Sequence, residues 1–430
     1  MTSFSIQNFG CRVNQAEAFD WACRLQERGF RLERNFSRSE VVFVNTCTLT
    51  GRADRDARKF IRRIVRLNPA AKVVVTGCLA ERNPGELEKI PGVWRVIPNS
   101  EKADLVEKIF PDVGVASREG IAAYRSRALV KVQDGCDMTC SFCIIPRVRG
   151  ASRSVPKEEA IHRIKELADL GYAEIVLTGI HLCSYGRDLP QRSTLLDLLE
   201  DIEALEQRAK FRLSSLDPRL LPLSLLRHLT ASKKICSHFH LSLQHGSEAV
   251  LKGMGRQSTQ AEYRDVLVFL AEHSPQAAIG ADIIVGFPGE TEDDFEGTAE
   301  FLSEVPLAYF HVFSFSPRPG TKAFGWPQVS EAKKKERAGR LRKMSRQKNL
   351  AFRNRLLGKE LEAVVIKKDG ASADVLTSNY IQIRVPACPT EEGRPVLVKL
   401  NSVAERESFG DIISVLKGRE DKEGMGHQLR

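Results

Sequence analysis

Short apolar runs alternating with amphipathic stretches organise the first hundred residues. Residues 4–9 read as a strand, 14–28 as a helix closed by Gly29, and 41–44 as an apolar strand. A helix over about 52–67 and a third strand at 73–75 follow. Such strand–helix alternation implies a parallel sheet with crossover helices. From residue 128 a longer series begins, with strands at 128–132, 174–178, 211–215, 239–243, 280–285 and 309–315. Helical stretches at 157–170, 194–207 and 260–272 lie between them. Six strands over that length predict a curved, barrel-like α/β domain, smaller than a full eightfold barrel. After Gly320 the pattern changes. Residues 330–356 form a basic helix carrying Leu341, Met344, Leu350 and Phe352, and strands at 361–366, 381–385, 396–400 and 412–415 then suggest a small β-barrel. Residues 417–430 read as a polar tail. The expected fold class is α/β: an N-terminal parallel-sheet α/β domain, a partial (β/α)6 barrel and a small C-terminal β-barrel.

This arrangement gives the cysteines meaning. Cys136, Cys140 and Cys143 place three thiols in eight residues, in a polar loop after the first barrel strand. A structural zinc site needs four closing ligands. Thiolates at such short spacings hold iron–sulfur clusters, and three on a four-iron cube leave one iron open to a ligand that is not protein. Zinc binding and redox switching remain the alternatives for this triad. Each of the three N-terminal strands also runs into a cysteine: Cys11 after Gly10, Cys47 after Thr46 and Cys78 after Gly77. Carboxyl ends of parallel strands share one edge of the sheet, where open α/β folds bind ligands. The three thiols can therefore converge as a second cluster site, against the alternative of three buried core cysteines.

Composition narrows the class without deciding it. With 42% hydrophobic and 28% charged residues the chain reads as an ordinary soluble protein. Residues 1–11 lack the pattern of a secretory signal, and no apolar run approaches the roughly 20 residues that span a bilayer. A cytoplasmic, membrane-free protein is expected, where ten cysteines point to metal or redox chemistry before disulfides. The formal net charge is +10 and unevenly spread. On a helix over 52–66, Arg52, Arg55, Lys59, Arg62 and Arg66 share one face, with Ala57, Phe60, Ile61 and Ile64 on the other. A second basic run lies at 333–355. Two such runs favour a polyanionic partner, most simply nucleic acid.

The loop Gln133-Asp134-Gly135-Cys136 to Ile144-Ile145-Pro146 resembles the signature of radical S-adenosylmethionine enzymes, including aromatic Phe142 before the third cysteine. Over nearly its full length the chain is similar to the methylthiotransferase family. The matching segments are Phe9-Gly10-Cys11-Arg12-Val13-Asn14-Gln15, Asn45-Thr46-Cys47-Thr48, Thr76-Gly77-Cys78 and Ala281-Asp282-Ile283-Ile284-Val285-Gly286-Phe287-Pro288-Gly289-Glu290-Thr291. Cys11 to Gln15 and Thr178-Gly179-Ile180-His181 with Tyr185-Gly186 look most like its MtaB-like branch. His245, where relatives usually carry Ser, and the extra thiol of Cys183 depart from the family pattern.

The resemblance implies an enzyme, a transferase that adds a methylthio group to C2 of N6-threonylcarbamoyladenosine in the tRNA anticodon stem-loop. Sister branches act on N6-isopentenyladenosine or on an aspartate of a ribosomal protein, and a non-catalytic iron–sulfur RNA-binding protein is the rival from another class. It also implies two [4Fe-4S] clusters and S-adenosyl-L-methionine as cofactors, with Cys136, Cys140 and Cys143 holding the cluster that chelates the cofactor. Cys11, Cys47 and Cys78 would hold the auxiliary cluster that presents sulfur. Phe142, Gly179, Ser215 and Gln244 are candidate cofactor contacts, while no catalytic side chain can be named. Partners would include an electron donor such as flavodoxin or ferredoxin, and a sulfur source. The expected domains are 1–118 with the auxiliary cluster, 122–352 as radical core, 356–418 as a TRAM-like RNA-binding barrel and 419–430 as tail. Arg147, Arg149 and Arg153 are candidates for RNA or cofactor-carboxylate contact, with plain surface charge as the alternative. His181, His238 and His240, lacking evident metal-ligand partners, read as structural.

Overall fold

Apolar runs rich in Val, at 41–44 and 73–75, form two inner strands of the first sheet. In the computed structural model, which describes residues 2–116 and 125–416, the strands β1 (Ser3–Asn8), β2 (Arg31–Leu32), β3 (Val41–Thr46), β4 (Lys72–Gly77) and β5 (Val93–Ile97) form a five-stranded parallel sheet ordered β2-β1-β3-β4-β5. Val42, Phe43, Val44, Val73, Val74 and Val75 are wholly buried, because helices cover both faces of such a sheet. The helix Gly51–Leu67 follows β3, its N-terminus capped by Thr50, whose hydroxyl accepts from Ala53 N at 3.2 Å. It buries Ala57, Ile61 and Ile64 and leaves Arg52, Arg55, Lys59, Arg62 and Arg66 exposed, as its spacing predicts.

The described residues fall into two units. One draws on 1–124, 133–153 and 316–325, and so contains both cysteine triads. The other draws on 125–132, 154–315 and 326–416. Its strands are β6 (Ala128–Asp134), β7 (Arg153–Ser154), β8 (Glu174–Gly179), β9 (Lys210–Leu213), β10 (His238–Gln244), β11 (Ala278–Val285) and β12 (Tyr309–Ser314). The orders β7-β6-β8-β9 and β10-β11-β12 are joined by parallel bridges Phe211–Ile235 and Leu216–Leu241, giving six successive strands of a partial α/β barrel with the two-residue β7 as a seventh at its edge. Helices Leu195–Glu203, Gln260–His273 and Glu292–Glu304 each open with a reciprocal Thr–Asp or Thr–Glu capping box.

Five further strands, β13 (Glu360–Asp369), β14 (Ser372–Thr377), β15 (Gln382–Val385), β16 (Pro395–Val403) and β17 (Ser408–Val415), close into a barrel ordered β13-β14-β15-β17-β16. Sequence reading finds four of them. It misses β14 because this short strand opens on Ser372, Ala373 and Asp374, residue types that strands disfavour or do not select. β5 escapes for a similar reason, being the half-exposed edge of its sheet. The barrel's core is continuous with the α/β sheet, since Ala278, Ala308, Phe352 and Leu356 pack in one cluster with Val365, Val375 and Val398. A polar key reinforces this junction. Arg212 donates to the carbonyls of Ser378 (3.0 Å) and Thr377 (3.1 Å), and Tyr380 stacks on His238 with ring centroids 4.1 Å apart. Tyr380 adopts φ +66°, a left-handed backbone that an aromatic residue rarely takes. The tail at 417–430 lies outside the described residues.

The helix over 330–356 is present as Glu331–Asn354, and its charges divide: Lys333, Lys335, Arg340, Arg342, Lys343 and Arg346 are exposed, whereas three others turn inward. Lys334, Arg337 and Arg353 are buried. Arg337 bonds Glu290 at 2.9 Å and Glu292 at 2.9 Å, Arg340 pairs with Glu296, and Arg353 donates to the carbonyls of Glu405 and Glu407. Glu290 and the helix Glu292–Glu304 take up the charge of Arg337 and Arg340, a pairing that composition alone cannot reveal.

Candidate cluster and cofactor site

Cys11 is the N-cap of the helix Arg12–Glu27, Cys47 follows β3 directly, and Cys78 opens the short helix Cys78–Arg82 after β4. The parallel order of β1, β3 and β4 therefore brings all three to one edge. Gly10, at φ +95°, shows how closely: a Cβ there would stand 2.5 Å from Cys47 Cβ and 2.7 Å from its Sγ. No side chain fits between these loops. Burial pushes the Cys11 thiol up against the pull of Arg149, and a Cys78 thiolate would push the same way. Burial, with Cys11 and Cys78 adding to it, pushes Cys47 up to about 12. With Cys47 and Cys78 buried and Cys11 half-buried at one sheet edge, the three thiols suit a bound cation, which supplies charge compensating their sulfurs. The residues fit a metal cluster.

Polar groups fix the frame around this triad. Asn14 Oδ1 accepts from Cys11 Sγ (3.6 Å) and from Arg149, while its Nδ2 donates to the carbonyls of Phe9 and Thr46, both at 2.9 Å. Thr46 Oγ1 donates to Thr76 O at 2.6 Å and accepts from Leu79 N, tying the β3 end to the β4 end. The loop after Cys47 is held by Asp54, which accepts from Thr48 Oγ1 (2.6 Å), from Arg82 (3.2 Å) and from Arg318.

The second triad follows β6. Gly135, at φ +69°, could not carry a Cβ, which would meet Ala151 O at 1.9 Å. Cys136 N donates to Gly150 O (3.1 Å), Cys143 N to Cys140 O (3.2 Å) and Met138 N to Cys136 Sγ (3.4 Å). All three thiols are part-exposed, and Phe142 beside them is half-buried. Arg149 connects the two frames. Its side chain is 1% exposed, bonding Glu17 at 3.0 Å and Asp134, two residues before Cys136, at 2.7 Å. It is neither a surface charge nor open to RNA, because Glu17, Asp134 and Asn14 occupy it. Lys102 joins the same buried pair through Glu17 at 2.5 Å. Sequence reading passes over this network; its signal is Asn14 and Glu17, one turn apart on a helix face that is otherwise apolar.

In the other unit the remaining candidates lie at strand carboxyl ends. Gly179 N donates to Ser214 Oγ at 3.2 Å, so Ser214, not its exposed neighbour Ser215, bonds the Gly179 turn. Gln244 ends β10 at φ +72°. Cys183 is buried beneath, its thiol pushed up to about 12 by burial and accepting from Asp217 N at 3.2 Å, which suits a packed thiol. His181 is held by Ser184 and by Asp217 (3.2 Å). His245 accepts from Ser247 N (3.0 Å) inside the core. His240 has partners that its sequence position does not reveal: Asp282 at 3.0 Å, and His311, itself 3.4 Å from Asp282. These three come from successive strands whose register no single sequence discloses.

Residues 130–302 match the family described as Radical SAM superfamily, and residues 3–97 match Uncharacterized protein family UPF0004. The chain is 37% identical to "Threonylcarbamoyladenosine tRNA methylthiotransferase MtaB" of Aquifex aeolicus, over 88% of this chain and 96% of that protein. It is 33% identical to the protein of the same name from Bacillus subtilis, over 97% and 98%. A "tRNA-2-methylthio-N(6)-dimethylallyladenosine synthase" of Moorella thermoacetica is 32% identical over 93% and 95%. Among solved structures, the radical S-adenosylmethionine methyltransferase TsrM from Kitasatospora setae, with cobalamin and a [4Fe-4S] cluster bound, superposes with a TM-score of 0.56 at 14% identity, covering 75% of this chain and 77% of that one. That likeness extends to the fold. With two thiol triads in place and relatives of this identity along its whole length, the chain belongs to the methylthiotransferase family of radical S-adenosylmethionine enzymes, on its MtaB-like branch.

Proposed function

We propose that this protein adds a methylthio group to C2 of N6-threonylcarbamoyladenosine beside the anticodon of tRNA. The observation that carries the reading is the pair of three-cysteine sets within one structural unit, in a chain similar to MtaB proteins over nearly its full length. We assign Cys136, Cys140 and Cys143 to one [4Fe-4S] cluster and Cys11, Cys47 and Cys78 to the other. When bound, the cluster and S-adenosylmethionine supply the one-electron chemistry that removes hydrogen from an unactivated aromatic carbon, which acid–base groups cannot do. The chain's own part is placement. Asn14 and Arg149 hold the Cys11 and Asp134 segments, and Thr46 fixes the Cys47 and Cys78 ends. Phe142, Gly179, Ser215 and Gln244 are assigned to the cofactor, with Ser214 shaping the Gly179 turn. An electron donor of flavodoxin or ferredoxin type and a sulfur source complete the cycle. The barrel of β13–β17 is assigned to tRNA.

Comparing modified nucleosides in tRNA from cells with and without the gene tests this. Loss of the methylthio group from threonylcarbamoyladenosine alone supports the assignment. Retention there, with loss from isopentenyladenosine or from a ribosomal-protein aspartate, overturns it in favour of a sister activity. Unchanged modifications throughout, with bound clusters and no 5′-deoxyadenosine produced, would mark a non-catalytic RNA-binding protein.

A further inference from the structure

One face of β10–β12 carries a polar array that neither thiol triad uses. Alternation along these strands buries Phe239, Leu241, Ile279, Ala281, Ile283, Phe310 and Val312 on one side. The opposite side presents His240, Asp282, His311 and Phe313. Asp282 stands in register with His311 and Ile284 with Phe313. Asp282 Oδ1 lies 3.0 Å from His240 Nε2 and 3.4 Å from His311 Nδ1. Tyr309 Oη bridges His240 Nδ1 (3.2 Å) and His238 Nε2 (2.7 Å), fixing the His240 ring from behind. The array is open to approach: His311 is 55% and Phe313 46% exposed, although both belong to a strand whose alternate residues are buried.

We propose that this face reads the substrate adenine, Phe313 stacking on the base and His311 and Asp282 hydrogen-bonding its N6 substituent, with the buried His240 holding Asp282 in place. This rests on the function proposed above and names the residues that select its substrate. An exposed aromatic ring is the usual platform for an unstacked base and is blind to what the base carries. His311 lies two residues from Phe313 along the strand, roughly 6.6 Å at about 3.3 Å per residue. That step suits a ureido-linked threonine reaching beyond N6. Its carboxylate needs a donor, which the His311 imidazole supplies through Nε2, and its hydroxyl and ureido N–H groups need an acceptor, which Asp282 supplies. A dimethylallyl group offers none of these and would desolvate His311 and Asp282 without a compensating hydrogen bond.

The test uses reconstituted holoenzyme and anticodon stem-loops bearing either threonylcarbamoyladenosine or plain adenosine, with affinities measured anaerobically. Wild type should prefer the modified loop. His311→Ala and Asp282→Asn should each lower the ratio of the two affinities about tenfold, the scale of a lost charge-assisted hydrogen bond. His311→Gln, which keeps an N–H donor, should restore part of it. Phe313→Ala should weaken both loops by a similar factor and leave the ratio near its wild-type value. Iron content and thermal midpoint matching wild type confirm that each variant is folded. If His311→Ala and Asp282→Asn shift both affinities equally, or if they only remove a bound equivalent of added zinc, the proposal fails. Failure of wild type to methylthiolate the modified loop overturns the function itself, whereas an unchanged ratio with methylthiolation intact overturns only this inference.

Discussion

Arg149 illustrates how much of the site depends on side chains that never meet a substrate. Its guanidinium is buried between Glu17, Asp134 and Asn14, so its removal leaves Glu17 with Lys102 alone and strips Asp134 of its cation. Arg149→Leu should cost about 3–5 kcal/mol, the scale for breaking a buried pair. Arg149→Lys should recover only part, because a point charge cannot serve three acceptors as a planar fork does. Urea unfolding of the cluster-free protein checks both, and an unchanged midpoint for Arg149→Leu would sink the idea. Glu174 offers a pH signature in the other unit. Burial raises its carboxyl, but Arg212 and Arg127 outweigh that and hold it at about 2, against an ordinary 4.5. A depressed carboxyl contributes stability that is present above its unfolded value and lost as pH falls through its folded one. Wild type should thus lose about 3 kcal/mol between pH ~4.5 and ~2 through this group. In Glu174→Gln that part of the acid slope should vanish, although the variant is less stable at neutral pH; denaturant midpoints across the pH series decide it.

At the scale of elements, the two basic helices look alike in composition and behave differently in the fold. Gly51–Leu67 turns Arg55, Arg62 and Arg66 outward, whereas Glu331–Asn354 directs Lys334, Arg337 and Arg353 inward to carboxylates and carbonyls. If the first helix meets tRNA phosphates, each exposed cation contributes one released counterion. Arg55→Ala with Arg62→Ala should then lower the slope of log affinity against log salt by about two, with stability changed by under about 0.5 kcal/mol. Arg337→Ala should do the reverse, lowering the unfolding midpoint while leaving the salt slope alone. Filter binding across a salt series, paired with thermal denaturation, separates these outcomes. The contrast also marks what is legible in one sequence. The outward face of Gly51–Leu67 follows from 3.6-residue periodicity, which is local. The inward charges of Glu331–Asn354 depend on Glu290, Glu292 and Glu296, whose proximity is set by packing.

For the molecule as a whole, legibility divides along the same line. Strand ends bearing Cys11, Cys47 and Cys78 could be placed together because a parallel sheet fixes where its carboxyl ends lie, whatever the side chains do. The array of His240, Asp282 and His311 could not, since it depends on the register of three strands separated by long crossovers. Nor could the union of the small barrel with the α/β sheet. Sequence alone presents β13–β17 as a separable appendage, but Ala278 and Ala308 share its core, Arg212 donates to Thr377 and Ser378, and Tyr380 stacks on His238. The barrel therefore stabilises the sheet as well as carrying the surface proposed for RNA. Tyr380→Ala should cost about 3–5 kcal/mol, since it empties an aromatic site between two packed layers. It should also speed amide exchange both in the 377–381 turn and at the His238 end of β10. A detachable barrel predicts another result: exchange faster only within 377–381, and a chain truncated after residue 355 that unfolds at the full-length midpoint. Joint acceleration in Tyr380→Ala, with early unfolding of the truncated chain, would establish that barrel and sheet fold as one body.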